Sequence, residues 1–143
     1  CQIMHEIKIN GAKNKFFETK RVSQKLIDFA TEEGFKIDRL EYNFVDSEKM
    51  YSLNKDFLNH DTDTDIITFD YSKSKTIIAE IFISSEMMIK NASENMQSIE
   101  NESFRLLSHG LLHCMGYKDN TVEEKAIMRK KEEEFIFAVS RET

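Results

Sequence analysis

Apolar residues along this chain follow two rhythms, an alternation and a helical recurrence, and the changes of rhythm mark out its elements. Ile3, His5, Ile7 and Ile9 share one side of an alternating stretch, which predicts a short strand over 3–9. A polar stretch with Gly11 reads as a loop over 10–15. Val22, Leu26, Phe29 and Ala30 then recur at helical spacing over 18–33, and Gly34 stands where such a helix stops. Leu40, Tyr42 and Phe44 alternate with Glu41 and Asn43, so 37–45 is a strand. Ser47 is placed to cap a helix striped by Met50, Leu53 and Phe57. A polar loop from Asn59 to Asp65 leads into Ile66-Ile67-Thr68-Phe69-Asp70-Tyr71, a β-branched and aromatic strand. After a loop at 72–75, Ile77 to Ile83 forms another. Ser84 or Ser85 caps a helix carrying Met88, Ala92 and Met96, and two more helices follow over 99–115 and 121–139.

The order is β, α, β, α, β, β, α, α, α. Strands early and helices late predict an α+β fold, a small mixed four-stranded sheet packed with about five helices. The two strands joined by the 72–75 loop are expected to pair antiparallel, and strands separated by a helix can pair parallel. With 143 residues and no linker, repeat or low-complexity tract, 1–143 reads as a single domain. Proline is absent, so turns fall to Gly34, Gly116 and Asn/Asp clusters.

Composition adds exclusions. Apolar residues at 40% and charged residues at 32% predict a soluble, folded chain. No window reaches the length of an uncharged membrane span. The first residues, Cys1-Gln2-Ile3-Met4-His5-Glu6, lack the regions of a signal peptide. Cys1 in place of Met reads as a cloning remnant or a trimmed end, and nothing else supports a lipoprotein. Cys1 and Cys114 make no disulfide framework, so a reducing cytoplasm is expected and no membrane partner. The net charge of −6 means that a nucleic-acid partner must be met by a local basic patch.

The candidate chemistry lies on the helix over 99–115, taken to be central. At about 100° per residue, Phe104, Leu107, Leu111, Cys114 and Met115 share one face and Leu106 and Leu112 flank it. Glu102, Arg105, His109 and His113 share the opposite face. Two imidazoles one turn apart can grip one metal ion. Gly116 can take the left-handed conformation that ends the helix and returns the chain, so that Asp119 supplies a third ligand. Three N, N and O ligands leave a tetrahedral position open, as in catalytic zinc sites. Zinc there can bring bound water to a pKa of about 7, so hydrolysis is the expected reaction class.

His109, His113, Gly116 and Asp119 fit the metzincin frame H-E-x-x-H-x-x-G-x-x-H at its first, fifth, eighth and eleventh positions. Gly110 replaces the general-base Glu of a metalloprotease, which argues against a peptidase. The run His109-Gly110-Leu111-Leu112-His113-Cys114-Met115-Gly116-Tyr117-Lys118-Asp119 more closely resembles the motif H-G-x-L-H-x-x-G-Y-D-H of the YbeY family, bacterial single-strand endoribonucleases of rRNA maturation. Leu53-Asn54 with Asp61-Thr62-Asp63-Thr64-Asp65-Ile66-Ile67-Thr68-Phe69 is similar to that family's L-N…T-D-V-L-S-F block. Ala79-Glu80-Ile81-Phe82-Ile83-Ser84 is similar to its G-D-I-x-I segment.

The resemblance implies one Zn2+, or another divalent transition metal, on His109, His113 and Asp119. It implies cleavage of single-stranded RNA at the 16S rRNA 3′ end, ribosome quality control, and the ribosome or ribosomal proteins as partners. Two positions depart from the family. Asp119 stands where a third His is usual, and Leu58 falls where an Arg commonly precedes the T-D block. Arg105 is the candidate catalytic cation in its place, or an ion-pair partner of Glu102, the reading favoured. Rival readings are a peptidase with a base from outside the motif, and an assembly factor with a structural metal.

Asp61-x-Asp63-x-Asp65 lacks the Gly and Glu of a calcium loop, with Ile66 and Ser72 in their places. These aspartates are expected to fix the turn, Asp65 also approaching the site. Lys118 and Asn120 are candidate substrate contacts, with His60 a further one. The other basic clusters, from Lys13 to Lys25 and at Arg129-Lys130-Lys131, are interleaved with acid and read as solvated surface. The run Arg129-Lys130-Lys131-Glu132-Glu133-Glu134, between Met128 and Phe135, likewise reads as a solvated stretch of paired charges.

Overall fold

The structure, a computed structural model, describes residues 6–11, 18–58 and 64–140. It holds β1 (Glu6–Asn10), α1 (Thr19–Glu32), β2 (Lys36–Val45), α2 (Ser47–Leu58), β3 (Ile66–Asp70), β4 (Thr76–Ser84), α3 (Ser85–Glu94), α4 (Ile99–Cys114) and α5 (Val122–Ser140). The order and class match the reading above: an α+β fold with a mixed sheet ordered β1-β2-β4-β3. β1 and β4 lie parallel to β2, each reached through a helix-containing connection, and β3 runs antiparallel to β4 across a short loop.

Alternation divides the sheet's two faces. Leu40, Tyr42 and Phe44 of β2, with Ile77, Ala79, Ile81 and Ile83 of β4, are buried in the main core. Val22, Leu26 and Phe29 of α1, Leu107 and Leu111 of α4, and Phe135 of α5 pack into the same core. The other face carries a smaller cluster, in which Met50 and Leu53 of α2 meet Ile67, with Phe69 and Phe82 against them. α4 is tied to the sheet by polar contact as well. The buried Tyr42 hydroxyl donates to the Leu107 carbonyl at 2.7 Å. Burial holds that phenol's pKa well above its ordinary value, so it stays a donor.

Gly110 allows α4 to lie this close. A Cβ there would come within 2.7 Å of Ile81 Cδ1, so the end of that side chain would have to shift. Gly110→Val is expected to destabilise the fold by about 1–3 kcal/mol through overpacking. The check is a lower urea midpoint with an unchanged slope.

Several local expectations change. Asp46, not Ser47, caps α2, its Oδ1 accepting from the Lys49 amide at 2.8 Å. Of the two candidate serines Ser84 caps α3, accepting from the Met87 amide at 3.1 Å. Met96 is not on the α3 stripe. The helix ends at Glu94, and Met96 follows in a left-handed conformation (φ 53°), 92% exposed. Phe57 is 67% exposed, its ring edge-on to Phe69 with centroids 5.8 Å apart, while Asn54 is buried. On α5, Glu132 is only 5% exposed, so the run from Arg129 to Glu134 is not a wholly solvated stretch. Met128, Glu132, Phe135, Ile136 and Val139 form a single buried stripe.

Candidate metal centre

α4 begins at Ser98, whose hydroxyl accepts from the Asn101 amide at 3.0 Å. It ends in a Schellman turn. The Tyr117 amide donates to the Leu112 carbonyl at 3.0 Å, and the Gly116 amide to the His113 carbonyl at 3.1 Å. Gly116 has φ 100°, which side chains resist, so glycine is what lets the chain reverse here. The reversal carries Asp119 back over the last turn of α4. The same turn is held from outside, because the Tyr117 hydroxyl donates to Glu33 Oε1 at 2.8 Å and Lys131 Nζ donates to Glu33 Oε2 at 2.9 Å.

The hydrogen bond from Lys131 holds the Glu33 carboxyl below its ordinary value, against the upward push of burial and with help from Tyr117. A depressed carboxyl stabilises the fold above its unfolded pKa and loses that contribution as pH falls through the folded value. Lys131→Met is therefore expected to lower the thermal midpoint at pH 7 and to change it little near pH 3. Melts of both proteins at the two pH values check this.

His109 Nε2 and His113 Nε2 lie 3.1 Å apart, and His109 Nε2 lies 3.7 Å from Asp119 Oδ2. All three donor atoms fall within 4.8 Å of one another. Metal–ligand bonds of about 2.0–2.2 Å place tetrahedral ligand atoms roughly 3.3 Å apart, so the two measured edges bracket the spacing an ion needs. Asp119, partly exposed on its turn, can swing to close the third edge. The N, N, O donor set thus fits a divalent transition metal. Cys114 does not join it. Its thiol is buried, with its pKa pushed up to about 12 by burial and then by Asp70.

A carboxylate from α5 backs the histidines. Glu132 Oε2 accepts from His109 Nδ1 at 2.6 Å, which turns Nε2 towards His113 and Asp119. Glu132 Oε1 accepts from Arg105 Nη1 at 3.1 Å. The Arg105 side chain, 12% exposed, also pairs with Glu133 at 2.5 Å and Glu102 at 3.8 Å. Burial pulls the His109 pKa down, but Glu132's hydrogen bond and charge, with Asp119 and Asp65, hold it above the ordinary value. Burial and then the neighbouring His109 push His113 below it.

His109 and Asp119 line a cleft of about 690 Å³ floored by α4, with β3 and α3 on one side and α5 on the other. Asp65 lines it, its Oδ2 accepting from Asn91 at 3.1 Å, near enough to act on His109 as expected. Lys118 and Asn120 flank Asp119 but lie exposed outside the cleft lining, and the Asn120 amide donates to Glu124 at the start of α5. His60 lies outside the described residues, and so does the side chain of Leu58. Glu132 was missed because it stands among charges. Its signal is its register, four residues after Met128 on an otherwise apolar stripe. Lys125 and Arg129 of α5 also line the cleft, although neither was singled out as a site residue.

A half-buried histidine pair and a returning carboxylate, set on a helix against a mixed sheet, make a candidate metal site in an α+β fold. The family model described as Endoribonuclease YbeY matches residues 6–140. A protein of Cytophaga hutchinsonii named Endoribonuclease YbeY is 46% identical over 105 residues, covering 73% of each chain. One of the same name from Phocaeicola vulgatus is 31% identical over 130 residues, covering 91% of this chain and 94% of that one. The solution structure of TM1509 from Thermotoga maritima matches with a TM-score of 0.68 over 95% of this chain and 89% of that one; at 23% identity it bears on the fold alone. The chain belongs to the YbeY family.

Proposed function

We propose that this protein is a zinc-dependent endoribonuclease that cleaves single-stranded RNA in the maturation of ribosomal RNA, at the 16S 3′ end, and in ribosome quality control. The observation that carries this reading is the convergence of His109, His113 and Asp119 within 4.8 Å of one another, beside a cleft, in a chain whose relatives are named endoribonucleases. His109 and His113 would hold the ion through Nε2 and Asp119 through Oδ2. The ion, when bound, supplies a Lewis acid that polarises a phosphate oxygen and makes water a nucleophile at neutral pH.

The chain's own groups do the rest. Glu132 keeps the His109 ring in the orientation that presents Nε2. Arg105 holds Glu132 in place as a positioning residue, because its guanidinium is already engaged by three carboxylates. Lys118 and Asn120, exposed beside Asp119, would meet RNA at the rim of the cleft. A protein that acts on ribosomal RNA would work in the cytoplasm with the ribosome as its partner. Among the described residues, no helix is long and apolar enough to cross a membrane.

The peptidase reading finds less support. Position 110 faces Ile81 of the sheet, and both oxygens of the buried Glu132 are already bonded. The discriminating experiment offers zinc-loaded protein a single-stranded RNA, an RNA duplex and unfolded casein. Cleavage of the single strand alone is expected. Casein cleavage with intact RNA would establish the rival.

A further inference from the structure

A phosphodiester strand entering this cleft meets four carboxylates against three basic side chains. Asp65, Glu102, Asp119 and Glu132 all line it. Arg105 on its floor is no free cation, since Glu102, Glu132 and Glu133 surround it. The end of α2, where the family commonly carries an arginine, has Leu58. The chain as a whole is at −6, so no diffuse field draws RNA in. Some local cation must offset these carboxylates if a strand is to lie beside His109.

The remaining cations of the lining are Lys125 and Arg129. They stand one helical turn apart on α5, so their side chains emerge side by side from one face. Both are exposed, and neither makes an ion pair with a described residue at salt-bridge distance. Burial raises the Glu102 carboxyl above its ordinary value, and Arg129, after Arg105, works against that rise, so its charge reaches the cleft floor. Val122 and Ala126 complete the same face, with helical spacing relative to the two cations, and both line the cleft. That face is the reverse of what a solvated helix surface needs: two unpaired cations framed by small apolar side chains, turned towards a polar cleft.

We propose that Lys125 and Arg129 form the phosphate-binding wall of this cleft, holding the backbone of a single RNA strand along α5 beside the metal cluster. The proposal rests on the endoribonuclease reading and assigns its cationic groups to α5 rather than to the end of α2. The wall holds neighbouring phosphates and does not touch the reacting atoms. It acts on substrate binding more than on the chemical step, and its contribution weakens with salt.

The test uses zinc-loaded full-length protein and a fluorescent single-stranded 2′-O-methyl RNA, titrated over a range of salt concentrations. Lys125→Gln and Arg129→Gln are each expected to raise Kd several-fold at low salt. Each should also reduce the slope of log K against log salt by about 0.7, the value of one lost single-strand phosphate contact. On cleavable RNA both variants should raise KM and nearly keep kcat, with unchanged zinc content. Lys130→Gln, an exposed cation of the same helix outside the cleft lining, should match the wild type. If both variants match Lys130→Gln while the wild type still binds and cleaves RNA, the wall assignment is overturned and the nuclease reading stands. If zinc-loaded wild type neither binds nor cleaves RNA, both are overturned.

Discussion

Glu132→Gln is expected to weaken zinc binding by about 10–100-fold, the usual cost of losing the carboxylate behind a metal-bound histidine. The 2.6 Å contact from His109 Nδ1 is the reason, since it fixes both the ring and the tautomer. Glutamine keeps the shape and one acceptor, so the fold should stay close to wild type in stability. Glu132→Ala should do more. It removes a buried partner of both His109 and Arg105. Stripping one partner from a buried ion pair costs roughly 3–5 kcal/mol. The lower end is expected here, because Arg105 keeps Glu102 and Glu133. Competition with a chromophoric chelator reads the first effect and urea unfolding reads the second. Wild-type zinc affinity in Glu132→Gln would remove the carboxylate from the account of the site.

His113→Ala should have the largest effect on function. It leaves one imidazole and one carboxylate, too few to hold an ion at physiological availability. Zinc content should fall to background and RNA cleavage with it. The fold should survive, because His113 is only partly buried and its partner across the site, His109, keeps Glu132. Circular dichroism and elemental analysis of the same preparation separate loss of metal from loss of structure. Retained zinc in a folded His113→Ala protein would contradict the ligand assignment.

The legible parts of this molecule were those whose cause is local. Two histidines at helical spacing, followed by a glycine able to reverse the chain, are enough to bring His109, His113 and Asp119 together. The alternation over β2 likewise put Leu40, Tyr42 and Phe44 inside. What stayed hidden depends on docking. Nothing near Glu132 in sequence says that α5 packs against α4 with that carboxylate facing His109. Gly110 stood out as the absence of a protease's base, whereas its structural reason is the methyl group of Ile81 on a distant strand. Local competition misled as well. Ser47 and Asp46 are neighbours with similar capping chemistry, and the aspartate took the cap. Met96 has the right period for the α3 stripe, but the helix stops two residues earlier.

The central claim is that one ion held by His109, His113 and Asp119 drives cleavage of single-stranded RNA. It is tested most directly by titrating zinc into chelator-stripped protein while following cleavage of a single-stranded RNA oligonucleotide. The account predicts no cleavage without metal, activity rising linearly with added zinc, and a break at one equivalent per chain. Full cleavage by the stripped protein, or zinc bound at one equivalent without any cleavage, would contradict it.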